Sequence, residues 1–172
     1  MRIAPFLGVK APTGEDNARD GFGRLPPPAQ PGSGSWDALG GAVLTYHTLN
    51  FQIDGQVSYK ANREANGFWA GDVTELDGSL QYRLWPSSLG SGVPTFLYGV
   101  LEANLIHSVK NDSGGIADQN SGGITLFITP GLQYVTRRWI VEAGVQIPVV
   151  QDLNGTVLKN NYVYTTGFRI NF

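Results

Sequence analysis

Hydrophobic and polar residues alternate one for one through most of this chain. In the last eleven residues, Tyr162, Tyr164, Thr166, Phe168, Ile170 and Phe172 fall on one set of alternate positions and Val163, Thr165, Gly167, Arg169 and Asn171 on the other. A period of two is that of a β-strand with two unlike faces. An aromatic at the end of such a strand has a use where the strand meets a membrane interface and closes a barrel.

The same pattern recurs upstream. Trp139, Val141, Ala143, Val145, Ile147 and Val149 oppose Glu142, Gly144 and Gln146. Ile124, Leu126, Ile128, Pro130, Leu132 and Tyr134 oppose Thr125, Phe127, Thr129, Gly131 and Gln133, with Pro130 awkward in a ladder because it has no N–H. Leu97 to Leu105, Leu76 to Leu84, Phe51 to Lys60 and, less strictly, Trp36 to Thr48 repeat it, and Ile3 to Ala11 is a first strand interrupted by Pro5. Long connections are expected near 12–35, 61–72, 110–122 and 151–160, and short ones near 49–51 and 137–138, with 86–93 in between. Long loops on one side and tight turns on the other are the layout of an outer-membrane barrel, here of about eight antiparallel strands. The Pro-rich run Leu25 to Gly32 is expected to be an irregular part of the first long loop.

Composition narrows the class. Charged residues make up 15% of the chain, against ~25% in soluble domains. No stretch approaches the ~18 apolar residues of a membrane helix. Low charge without an apolar run is what an all-β transmembrane barrel produces. The 172 residues suit a single domain, 1–172. A net charge of −2 speaks against nucleic acid as a partner, and the absence of cysteine removes disulfides and thiolate metal sites. No secretory signal precedes Pro5 and Pro12, so a protein destined for the outer membrane would be seen here as a mature form or a fragment.

Alternation alone does not say which face is inside. A soluble lipocalin-like ligand-binding barrel would turn its apolar face inward. Two patterns favour the bacterial outer membrane instead. Each polar face carries only one or two charges, and aromatics such as Trp36, Phe51, Tyr59, Tyr82, Tyr134 and Trp139 sit at strand ends, as in interfacial girdles. A membrane-embedded lipid-modifying enzyme is the other rival; it needs a Ser/His/acid cluster on one rim, and none can be assembled.

Several blocks are similar to an established family. They are Lys10-Ala11-Pro12-Thr13-Gly14, Gln30 to Asp37, Gln81 to Pro86, Thr129 to Tyr134, and Gln146-Ile147-Pro148 followed by Leu153-Asn154-Gly155-Thr156. In this order they resemble the outer-membrane transporters named after the meta-pathway of phenol degradation. Members are longer, so the chain resembles their C-terminal portion. The resemblance implies an outer-membrane barrel for passive uptake of small hydrophobic or aromatic compounds, with no cofactor and no catalytic residue to carry over.

The charged residues expected to point into the barrel are Asp54, Lys60, Asp77, Arg83, Glu102, Glu142 and Arg169. They read either as a polar lining that steers solutes or as ion pairs that fill a narrow interior. His47 and His107 lack companion ligands, and adjacent His107 and Ser108 point to opposite faces of a strand, which excludes a nucleophile–base pair. The oxygen-rich Asn111 to Asp118 segment does not have the spacing of a calcium loop and reads as a polar loop. No metal and no enzymatic step are expected. The expected partners are outer-membrane lipids, the barrel assembly machinery through the C-terminal strand, and a small hydrophobic or aromatic solute.

Overall fold

The computed structural model describes residues 1–90 and 95–171. Eight long strands form one antiparallel sheet in chain order. They are β1 (Arg2–Lys10), β2 (Asp37–His47), β3 (Phe51–Ala61) and β4 (Val73–Trp85), then β5 (Phe96–Ser108), β6 (Gly123–Val135), β7 (Trp139–Leu153) and β8 (Val163–Ile170). Every strand from β2 to β7 has at least 11 residues. A tilted strand of ~9–11 residues suffices to cross a bilayer.

Registers confirm the expected faces. On β6, Thr125, Phe127 and Thr129 are buried while Ile124, Leu132 and Tyr134 are exposed. Across the sheet, Thr45, Asp54, Ser79, Glu102 and Thr129 form one cross-strand row, and Val43, Gln56, Asp77, Asn104, Phe127 and Pro148 form the next. The polar face is therefore the sheltered one. Among the described residues, Phe127 alone is a buried hydrophobic side chain, at 7% exposure. Leu7, Ile53, Val57, Leu76, Leu80, Leu101, Val141 and Phe168 face outward and are exposed. Water would offer this sheet almost no hydrophobic stabilisation, because burial contributes only ~25 cal/mol for each Å² removed from solvent.

The elements differ from the sequence reading in three places. First, β7 runs to Leu153, so the connection expected to open near residue 151 starts later. A bulge allows this: Leu126 pairs with Val150 and Phe127 with Pro148, which leaves Val149 as the extra residue. Second, Pro130 stands in a central strand. It pairs with Leu101 on the β5 side, while the ladder toward β7 skips from Ile128 to Gly131, where the missing N–H would have bonded. Third, the first long loop is not wholly irregular. It holds a small ladder, Arg19–Asp20 with Gly23–Arg24, and a 3-10 turn at Pro27–Ala29. Pro5 is tolerated because β1 is an edge strand. The expected terminal aromatic, Phe172, and part of the 86–93 connection lie outside the described residues.

The long connections share one end of the sheet, since they follow β1, β3, β5 and β7 in an antiparallel meander. They are also tied together. Asn66 donates to Asp16 at 2.8 Å, linking the first and second loops. Phe68–Trp69, Asp112–Ser113 and Ile116–Ala117 make a three-stranded ladder between the second and third. Thr156 N–H and Asn154 Nδ2 donate to Asn120 Oδ1 and Ser121 O, linking the fourth to the third. The two edges, β1 and β8, each pair on one side only, and no ladder joins them among the described residues.

Candidate functional site

The sheltered face divides by height. At the loop end, Asp37 opens β2 and is 2% exposed. Its carboxylate accepts from Ser35 Oγ at 2.8 Å, from Arg63 N–H at 3.0 Å and from Lys10 Nζ, and Lys60 Nζ stands 3.9 Å away. Three donors and one more nearby ammonium around one sheltered carboxylate satisfy it and pin β1, β2 and the start of the second loop together. Next to it, the Lys10 to Gly14 and Gln30 to Ser33 segments wall a cavity of about 490 Å³ closed by Asn66, Phe68 and Ala70. Gly14 and Gly32 touch backbone to backbone there: a Cβ on Gly32 would lie 2.4 Å from the Gly14 carbonyl oxygen.

In the middle of the sheet, the rows through Glu102 and Asp77 carry acids and amides. Asp54 accepts from Thr45 Oγ1 and Gln52 Nε2, both at 2.7 Å. Asp77 accepts from Asn104 Nδ2 at 2.9 Å and Gln56 Nε2 at 3.3 Å. Glu75 accepts from Ser58 Oγ at 3.2 Å. Toward the turns, Gln81 Nε2 donates to Gln133 Oε1 at 2.8 Å, and Gln133 Nε2 donates to Glu142 at 2.9 Å. A cavity of about 320 Å³ lies over Gln81, Glu102, Thr129, Gln133, Glu142 and Thr165. A second, of about 310 Å³, lies over Asp54, Gln56, Asp77 and Asn104. Ser79 and Glu102 line both.

All seven charged residues expected inside lie on this face, but they do not come together as ion pairs. Lys60 belongs to the Asp37 cluster at the loop rim. Arg83 is at the turn rim, where it donates to Asn50 and lies over the Phe96 ring at 5.9 Å. Arg169 pairs in the ladder with Ile140, also at the turn end. Asp54, Asp77, Glu102 and Glu142 have no salt-bridge partner among the described residues. The picture of ion pairs filling the interior is thus corrected. Among these seven, strand height separates the signs; amides and a hydroxyl rather than cations serve Asp54, Asp77 and Glu142, and Glu102 has no side-chain partner among the described residues.

Sequence reasoning missed Asp37, Glu75, Asn104, Gln81 and Gln133. Glu75 escaped because its strand was expected to begin at Leu76, and Asp37 because its partners come from β1 and the second loop, which only the register brings together. The amides escaped because only charged positions were weighed, although strict parity marks them. His107 lies on the outward face opposite Thr74 and Ile124, away from Ser108. The acids of the 111–118 segment serve as turn acceptors, Asp112 for Gly115 N–H and Asp118 for Asn120 N–H.

The family model described as "Putative MetA-pathway of phenol degradation" matches residues 3–158. The chain belongs to this family. The match takes in nearly all of β1, the Asp37 cluster, the cavity over Asp54 and Asp77, and the part of the other central cavity that β4 to β7 supply. No curated protein matches the chain.

Proposed function

We propose that the chain forms the wall of an outer-membrane barrel through which small hydrophobic or aromatic compounds pass without energy input. The observation that carries this reading is the inverted sheet, with apolar side chains outside and hydrogen-bonded polar side chains sheltered. Lipid satisfies such an exterior, and a wet interior satisfies such an inside. The family assignment to phenol degradation supports the solute class. In hydrocarbon the free N–H and C=O groups of β1 and β8 must be paired, so the reading requires that both edges meet a strand in the membrane. The C-terminal strand would engage the barrel assembly machinery, and lipids would cover the outward face.

The test compares cells that express the protein with cells that lack it. The protein should fractionate with outer membranes, and expressing cells should take up radiolabelled catechol faster at low concentration. Equal uptake by both, with the protein present in the membrane, would sink the transport reading.

A further inference from the structure

We propose that Glu102, with Asp54 and Asp77, makes the sheltered face a charge filter that rejects anionic solutes and admits cationic and neutral hydroxyl-bearing ones. The proposal deepens the transport reading, and its biological role rests on that reading.

Four observations carry it. Between the rim lysines and the rim arginines, the sheltered positions of β2 to β8 hold no Lys or Arg, whereas Asp54, Glu75, Asp77 and Glu102 all lie there; on the edge strand β1 a single cation, Arg2, stands opposite Thr45 in the row of Asp54 and Glu102, so acids outnumber it four to one. Lys10 and Lys60 are engaged by Asp37, so neither neutralises this belt. Glu102 has no hydrogen-bonding side-chain partner among the described residues, although it lines both central cavities. Thr129 faces Glu102 across the ladder, lines the same cavity at 9% exposure, and leaves its buried Oγ1 without a partner among the described residues. This stretch of wall therefore has polar capacity that the protein itself does not use.

The chemistry follows from charge sign. Carboxylates accept hydrogen bonds and cannot donate them. A phenolic hydroxyl can donate to Glu102, and a cation is attracted by all three acids. An aromatic carboxylate is repelled by all three and offers no donor. Low-dielectric walls focus such a field within a cleft.

The chain has no cysteine, so a single reporter can be placed cleanly. Ser79 sits between Asp54 and Glu102 in the ladders. In lipid vesicles, Ser79→Cys should react with a cationic methanethiosulfonate roughly tenfold faster than with an anionic one, by Coulomb attraction at these separations. The preference should shrink as salt is raised and should fall when Glu102→Gln is added. Asn50→Cys, at a turn beside Arg83, serves as the control and should lack the cationic preference. If the Glu102→Gln variant does not fold, the salt series on Ser79→Cys alone decides. Equal rates for the two reagents, an anionic preference, or no reaction with either would overturn the filter. Catechol uptake is a separate readout: a retained cationic preference without uptake would sink transport and leave the filter standing.

Discussion

Asp37 shows how one residue can organise a rim. Its side chain is 1% exposed, while those of Lys10 and Lys60 are 38% and 40% exposed. The lysines gain little from the ion pairs themselves, since water screens them. The larger effect is that Ser35 Oγ, Arg63 N–H and Lys10 share one sheltered acceptor. Asp37→Ala should cost about 1–3 kcal/mol, most of it from donors left unsatisfied. Urea unfolding in lipid vesicles measures it, and Asp37→Asn should recover part of the loss. An unchanged unfolding midpoint for Asp37→Ala would show that the cluster is ornamental. The same scale explains two of the family-like blocks. Lys10 to Gly14 and Gln30 to Asp37 are distant in sequence, yet Lys10 meets Ser33 and Asp37, and Gly14 meets Gly32. Each block is half of one contact.

A single strand carries both environments. On β4, Leu80 faces outward at 43% exposure, and its neighbour Ser79 faces Asp54 and Glu102. Leu80→Arg should cost ~2–4 kcal/mol of folding into a bilayer, the value for a charge on the lipid face near the midplane. Ser79→Arg places the same charge among acids and should cost clearly less. Urea titration of the two variants in vesicles compares them directly, and equal costs would contradict the assigned faces. Aromatics mark the strand ends as the sequence suggested. Tyr46 and Phe51 flank one tight turn with ring centres 5.9 Å apart, and Tyr134 and Trp139 flank another at 5.3 Å. Phe51 also stands opposite Tyr82 in the ladder, which extends the girdle along the turn end.

For the whole molecule, the alternation of long and short connections sets a topology. Ser113 and Asn160 belong to the loop end, and Asn50 belongs to the turn end. On the proposed outer-membrane reading, the long loops would face outward from the cell. Single cysteines at Ser113 and Asn160 should therefore label in intact cells with a membrane-impermeant maleimide, and a cysteine at Asn50 should label only after lysis. The reverse pattern would invert the topology. Hydrogen bonds that join all four loops give this end a continuous rim.

Strand identity, strand order and the two faces were legible in the sequence because side-chain direction in a strand depends only on parity. Tyr164 and Phe168 had to share a face, and so did Asp54 and Lys60, whatever the rest of the chain did. The alternating connection lengths similarly made an antiparallel meander the natural fold. Parity carries no information about height or partners. That Lys60 would meet Asp37 while Asp54 met Thr45 and Gln52 depended on register between strands. The bulge at Val149 and the ladder gap at Pro130 depended on two neighbouring strands at once. Which face is sheltered was a tertiary outcome too, because an alternating strand fits either sense of curvature until the whole sheet curls around one of them. Here it curled around the acids and amides, since Thr125, Phe127 and Thr129 are buried while Leu132 and Tyr134 are not.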